Sequence, residues 1–138
     1  MSEADKQKII AGREATVATG GMGYAARVPA LLAKAAPQQT IDLVRDVLRA
    51  TNPRGYMHGV KLGLVDGYDP ETVAAKVTVP VLMISGIEDR VNPIDKNAAL
   101  IAKAMPKAKL EILDGVGHLP EVEAPEKVNA LLRAFFAE

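Results

Sequence analysis

The chain has 138 residues and no cysteine, and its 17 basic and 17 acidic side chains leave a formal net charge of zero. This balance gives no electrostatic basis for binding nucleic acid or an anionic membrane, and the lack of cysteine excludes disulfides, thiolate zinc sites and cysteine nucleophiles. About half of the residues are apolar, which is typical of a folded domain and excludes a disordered chain.

The first half of the chain is predicted to be helical, because its apolar residues recur at helical spacing between helix-breaking signals. The predicted helices cover residues 3–19, 25–34, 38–50 and 53–65, followed by a short helix from Pro70. The run Gly20-Gly21-Met22-Gly23 is interpreted as a helix break. Glycines at positions 55, 59 and 63 recur once per turn, which favours close packing of that helix against a neighbour.

The second half changes from helical spacing to an alternation of strands and helices. Continuous apolar residues over 79–84 predict a first strand that is buried on both faces, as in a parallel sheet. Residues 109–113 predict a second, short strand. A helix is expected between the strands, with Asn92 as its cap and Pro93 at its first position. Apolar residues at helical spacing predict a last helix over residues 125–137.

The change of pattern near residue 69 divides the chain into a helical segment, 1–69, and an α/β segment, 70–138. The expected architecture is a helical part followed by a β-α-β-α parallel unit. Residues 1–6 mix charges without an apolar core, so no signal peptide is expected, and the apolar run over 77–87 is too short to span a bilayer. A cytoplasmic location is therefore the expectation.

Two loops that follow the predicted strands carry the candidate catalytic side chains. The catalytic and ligand-binding side chains of parallel α/β proteins lie beyond the carboxyl ends of the strands. Asp89 and His118 are therefore expected to meet at one sheet edge. An acid that fixes a histidine tautomer and a histidine that moves a proton are two parts of a nucleophilic triad. Glu88 stays open as an alternative acid, with Asp89 then a turn residue. His58 is expected to be a packed or rim side chain, too far from His118 in sequence for a metal-ligand spacing.

The segments around these two residues resemble the acid and histidine motifs of the α/β-hydrolase family. The acid segment is an apolar strand followed by glycine, two residues, aspartate and then proline: Val79-Pro80-Val81-Leu82-Met83-Ile84-Ser85-Gly86-Ile87-Glu88-Asp89-Arg90-Val91-Asn92-Pro93. The histidine segment is Gly117-His118-Leu119-Pro120-Glu121-Val122-Glu123-Ala124-Pro125-Glu126. The order of the two motifs and the 29 positions between Asp89 and His118 fit the family pattern.

The helical segment is similar to the cap of the enol-lactonase, esterase and non-haem-peroxidase branch of that family. The likeness to 3-oxoadipate enol-lactonases is carried by Gly20-Gly21-Met22 and Asn52-Pro53-Arg54-Gly55-Tyr56. The resemblance implies a partial α/β-hydrolase fold in which Asp89 and His118 are the acid and the histidine of a catalytic triad. It also implies small ester, lactone or enol-lactone substrates, no metal or organic cofactor, and Val91 and Leu119 as pocket-lining side chains.

The sequence departs from the family pattern at the nucleophile. The family carries its serine in a Gly-x-Ser-x-Gly turn, whereas this sequence has Ser2 near its start and Ser85, with Met83 where the turn needs glycine. We therefore expect the C-terminal half of a hydrolase, inactive alone and completed by a serine-bearing N-terminal half. The alternative is a non-catalytic remnant or assembly module that forms homo-oligomers through its open sheet edges.

Overall fold

A computed structural model describes residues 2–19, 26–64, 70–105 and 107–137, and the predicted helix break at residues 20–23 lies outside them. The helices are α1 (Glu3–Ala18), α2 (Val28–Leu31), α3 (Gln38–Ala50), α4 (Pro53–Leu62), α5 (Pro70–Ala74), α6 (Ala98–Ala104), α7 (Pro120–Glu123) and α8 (Pro125–Phe136), with a 3₁₀ turn at Ile94–Lys96. The strands β1 (Val81–Gly86) and β2 (Ala108–Leu113) form a parallel two-stranded sheet. Helices followed by a strand–helix–strand–helix part agree with the pattern predicted from the sequence.

The chain divides into two compact units, residues 1–28 with 41–68 and residues 29–40 with 69–138. The predicted division at residue 69 counts residues 29–40 with the helical segment. In the structure these residues belong to the second unit, because the backbone of residues 31–34 bonds to the loops that follow the two strands. The assignment of a cap and a core part to the two segments stays a prediction.

The first unit is helical, and its helix α4 begins at Pro53, where the sequence predicts a helix to start. The Asn52 side chain caps α4 by accepting the N–H groups of Arg54 and Gly55, with Pro53 at the first helical position. Helix α1 packs against α4. Among the described residues, no atom lies within 4 Å of a Cβ built on Gly55 or Gly59, so the close packing of the glycine stripe stays a prediction.

The second unit is built around the two parallel strands, which pair from Val81 with Ala108 to Gly86 with Leu113. Helix α6 contacts both strands, and α7 and α8 contact β1. The prediction that β1 is buried on both faces is wrong, because residues 81–85 are only half-buried. A strand in a sheet of two keeps part of its apolar surface accessible.

The helix predicted to begin at an Asn92 cap begins later in the structure. A 3₁₀ turn at Ile94–Lys96 comes first, and α6 starts at Ala98, after Asn97 has interrupted helical geometry with φ −137° and ψ −86°. Asn92 instead donates its backbone N–H to the Asp89 carboxylate at 2.8 Å, which holds this stretch in a turn. The residue expected to start a helix is therefore part of the candidate site.

Candidate active site

Asp89 lies in the loop that follows β1, three residues after Gly86 ends the strand. Its Oδ1 accepts the backbone N–H groups of Val91 and Asn92, both at 2.8 Å. Its own N–H donates to the Gly86 carbonyl at 3.2 Å, and its side chain is 9% exposed. The loop is thus a tight turn around one carboxylate oxygen, and the second oxygen is left for another partner.

His118 lies in the loop that follows β2 and supplies that partner. Its Nδ1 is 2.9 Å from Asp89 Oδ2, and its side chain is 26% exposed. The parallel pairing of β1 and β2 brings both loops to the same edge of the sheet, so residues 29 positions apart meet there. The distance confirms the predicted contact, whereas the catalytic role of the two residues stays a prediction.

The electrostatics of Asp89 determine which histidine nitrogen carries the proton. Burial raises the pKa of Asp89, but hydrogen bonds from the Asn92 N–H, the His118 side chain and the Val91 N–H, together with the charge of His118, lower that pKa below its ordinary value overall. The carboxylate is therefore ionised at neutral pH and can only accept. His118 Nδ1 is then the donor of the hydrogen bond to Asp89, and in the neutral imidazole Nε2 carries the lone pair that can take a proton from a nucleophile.

Glu88, the alternative acid, has a different partner. Its Oε2 accepts the backbone N–H of Lys34 at 3.0 Å, and its own N–H donates to the Val116 carbonyl at 2.9 Å. The geometry therefore favours Asp89 as the acid that faces the histidine. Glu88 instead connects the loop after β1 to residue 34.

Residues 31–34, here called the tie segment, hold both loops through their backbone. The Leu31 carbonyl accepts the His118 N–H at 2.8 Å, and the Leu32 carbonyl accepts the Arg90 guanidinium at 2.7 Å. Leu32 is 2% exposed, so these bonds anchor the loops to a buried part of the second unit. None of these contacts was predicted, because bonds between distant segments leave no periodic signal in a sequence.

Glu123, at the end of α7, is a further site residue that sequence reasoning missed. Its carboxylate accepts the N–H groups of Gly117 at 2.9 Å, Leu119 at 3.4 Å and Ala33 at 2.7 Å. Acidic residues near a helix start predict a favourable interaction with the helix dipole and nothing more specific. The sequence therefore gave no sign that this carboxylate binds the loop that carries the histidine.

Glycines allow the two loops and the tie segment to approach each other closely. A Cβ on Gly86 would overlap the carbonyl oxygens of Val116 and Gly117, and a Cβ on Gly117 would lie 2.7 Å from the Ala33 nitrogen. Gly115 has φ +69°, in the left-handed region that favours glycine. These glycines are required by the fold around the site.

A cavity of about 280 Å³ adjoins the pair. Asp89 and His118 both line it, together with side chains from β1 and from α6. Val91 and Leu119, the predicted pocket residues, do not line this cavity, and Val91 is 37% exposed on its loop. Contact of these two side chains with a substrate therefore stays a prediction.

Neither serine of the sequence stands in a nucleophile turn. Ser85 lies within β1, paired opposite Ile112, so its backbone is extended where a nucleophile needs a strand-to-helix turn. The Ser2 side chain caps α1 by accepting the Asp5 N–H at 3.2 Å. Across the described part of the chain, no three potential metal ligands cluster, and no helix is long and apolar enough to cross a bilayer.

Comparison with sequences finds partial relatives, and no protein-family model matches the chain. The chain is 35% identical to human protein ABHD8 over 65 residues, which are 47% of this chain and 15% of the relative. It is 29% identical to a putative non-heme chloroperoxidase of Synechocystis sp. over 108 residues, which are 78% of this chain and 38% of the relative. The matches thus span well under half the length of these curated relatives.

Comparison with solved structures relates the geometry to a known fold. An esterase from Thermogutta terrifontis matches with a TM-score of 0.85 and 21% identity, over 99% of this chain and 51% of its own. A bromoperoxidase from Bacillus anthracis gives 0.79 and 16%, over 100% and 50% of the two chains. The enol-lactonase from Burkholderia xenovorans LB400 gives 0.64 and 24%, over 72% and 37%. The chain therefore has a partial α/β-hydrolase fold, as the resemblance of its acid and histidine segments predicts.

Proposed function

Given a partial α/β-hydrolase fold, we propose that this chain supplies the acid and the histidine of a serine hydrolase that cleaves small esters, lactones or enol-lactones. The observation that carries the proposal is the 2.9 Å contact between Asp89 Oδ2 and His118 Nδ1, beside a cavity at the carboxyl edge of a parallel sheet. The esterase and the enol-lactonase among the structural neighbours support the choice of substrate class. The proposed steps need neither a metal nor an organic cofactor.

In the proposed reaction, Asp89 holds His118 with its Nδ1–H toward the carboxylate and leaves Nε2 free to act. Nε2 takes the proton of a serine hydroxyl while the serine oxygen attacks the substrate carbonyl carbon. The imidazolium returns that proton to the departing alkoxide, and an acyl ester remains on the serine. His118 then takes a proton from the water that attacks this ester and gives it to the serine oxygen as the acid product leaves. The ionised Asp89 stabilises the imidazolium in both halves of the reaction.

The serine is proposed to come from outside these 138 residues, from a separate polypeptide or from further residues of a longer protein. The half-buried strand β1 pairs with β2 along one edge and can accept a further strand along the other. The match covers only 51% of the Thermogutta terrifontis esterase, which supports the proposal of a further part beyond these 138 residues. The proposed partner is thus a serine-bearing hydrolase half, and the proposed location is the cytoplasm.

The second candidate function is a non-catalytic assembly module. The exposed apolar side chains of the second unit favour it, since Ile112 on β2 is 48% exposed and Phe136 at the end of α8 is 80% exposed. In this case a second copy of the chain covers the apolar surface, and the Asp89–His118 contact has a structural role alone. The partner is then the chain itself rather than a nucleic acid or a membrane.

The two candidates are separated by completing the chain with the remaining half of the Thermogutta terrifontis esterase. Hydrolysis of p-nitrophenyl acetate and labelling by a fluorophosphonate probe are measured on the purified complex. We expect turnover that His118→Gln lowers by about a thousandfold or more. The matched control is His58→Gln, a change at an exposed position of α4, which leaves the turnover unchanged.

Two results contradict the proposal in different ways. A complex that forms but shows no turnover dependent on His118, with self-association of the chain alone in sedimentation, favours the assembly module. Fluorophosphonate labelling of the isolated chain locates a nucleophile within these 138 residues and contradicts an outside source of the serine.

A further inference from the structure

We propose that Glu123 is a positioning residue that holds His118 within reach of Asp89, an inference that rests on the proposed function of that pair. Glu123 is half-buried at the end of α7, five residues after the histidine. Its carboxylate binds backbone N–H groups on both sides of His118. Glu123 therefore acts on the reaction through the histidine backbone.

One carboxylate oxygen binds both chain neighbours of the histidine. Glu123 Oε1 accepts the N–H of Gly117 at 2.9 Å and the N–H of Leu119 at 3.4 Å. The N–H of His118 itself donates to the Leu31 carbonyl at 2.8 Å. Because these three consecutive N–H groups are all bound, the histidine backbone has little freedom to turn the imidazole away from the acid.

The other carboxylate oxygen anchors this loop to the tie segment. Glu123 Oε2 accepts the N–H of Ala33 at 2.7 Å, and Ala33 is 5% exposed. A carboxylate offers acceptors on both oxygens, so one side chain serves three N–H groups. A glutamine at this position offers one oxygen and one NH₂ group, and at least one of the three N–H groups then faces another donor.

The packing around Gly117 transmits any shift of Glu123 to the histidine. A Cβ on Gly117 would lie 2.7 Å from the Ala33 nitrogen and 2.9 Å from Glu123 Oε1. Gly117, the chain neighbour of the histidine, therefore lies in close contact with Ala33 and bonds to the Glu123 carboxylate at 2.9 Å. Misplacing a catalytic group by about 1 Å lowers a rate by about a hundredfold, so we expect an effect on kcat more than on KM.

The tautomer of His118 tests this inference in the full 138-residue chain. At a pH where histidine is neutral, ¹⁵N NMR reports how much of the ring carries its proton on Nδ1. We expect Glu123→Gln to lower the Nδ1–H population of His118 by about twofold or more. The signal of His58, exposed on α4, serves as internal reference, and Glu121→Gln, exposed on α7, is the matched control that changes neither histidine.

A double-mutant cycle separates positioning from a general structural effect. Asp89→Asn removes the ionised acceptor of the Nδ1 proton, so Glu123→Gln adds no further change to the His118 signal in that background. Additive changes in the cycle overturn the positioning role. An unchanged His118 tautomer in a folded Glu123→Gln chain also overturns it.

In the completed hydrolase we expect Glu123→Gln to lower kcat by about tenfold or more and to change KM by less than about twofold. Circular dichroism reports whether each variant folds. If Glu123→Gln does not fold, Glu123→Asp, which keeps the charge with a shorter reach, is measured with the same expectations. The expected tautomer with no turnover in the completed enzyme contradicts the proposed function alone, because the tautomer does not depend on a serine.

Discussion

The loops at the carboxyl end of the sheet and the helix α4 use glycine in opposite ways. At the loops, Gly86 and Gly117 face backbone atoms that leave no room for a Cβ. On α4, a Cβ on Gly55 or Gly59 would meet open space among the described atoms. The regularly spaced glycines of α4 leave room for a side chain among the described atoms, whereas the irregularly spaced Gly86 and Gly117 do not. Three measurements test this contrast.

The largest effect is expected at Gly86. The change Gly86→Ala forces its Cβ onto the carbonyl oxygens of Val116 and Gly117, so the loops after β1 and β2 must separate. We expect the free energy of unfolding, measured in urea, to fall by about 3 kcal/mol or more. A loss below about 1 kcal/mol would show that the loops can separate at little cost, and the contrast with α4 would then fail.

A smaller effect, dependent on pH, is expected at Asp89. Since its pKa is lowered in the folded chain, the unfolded chain binds more protons below about pH 4, and stability rises with pH through that range. The contribution of Asp89 is therefore present at neutral pH and is lost as the pH falls through the folded-state pKa. We expect Asp89→Asn to cost about 2 kcal/mol at neutral pH and to flatten the acid decline of the free energy of unfolding.

The matched control for Asp89 is Asp95→Asn, an exposed carboxylate of the same unit. In urea unfolding at about pH 3 and about pH 7, this variant should flatten the acid decline less than Asp89→Asn does. An equal decline in Asp89→Asn and in the unmodified chain would show that the contact with His118 does not hold the loops together.

The smallest effect is expected on α4. The change Gly59→Ala meets no described atom within 4 Å and improves helix propensity, so we expect the free energy of unfolding to rise by about 0.5–1 kcal/mol. Thermal unfolding followed by circular dichroism measures the corresponding rise in Tm. A fall in Tm would indicate that another surface covers this face of α4 and would support the predicted close packing of the glycine stripe.

The sequence predicted the elements that local chemistry determines. Helix α3 has the predicted bounds, 38–50, because its apolar residues keep helical spacing up to the stop at Asn52-Pro53. The start of α6 was missed because the backbone of Asn97 interrupts a stretch whose proline suggested an earlier helix start. Local patterns therefore fix periodic elements better than the breaks between them.

In the candidate site, too, some contacts could be predicted from the sequence and others could not. The contact of Asp89 with His118 could be predicted because parallel strands bring their following loops to one edge. The three N–H bonds of Glu123 could not, because a carboxylate that binds distant backbone has no characteristic spacing. The burial of β1 was overestimated because the apolar sequence of a strand does not reveal how many other strands and helices cover it.

The tie segment connects the site loops to a distant part of the chain. Its bonds join residues separated by 54, 58 and 90 positions, so the loops reach their final places only after long stretches of chain have closed. Closure entropy grows slowly with length, by about 0.6 kcal/mol for each doubling. The residues between the tie segment and β1 can therefore be lengthened at little cost in closure entropy. The stretch between residue 34 and Val81 can thus vary in length while Asp89 and His118 keep their geometry.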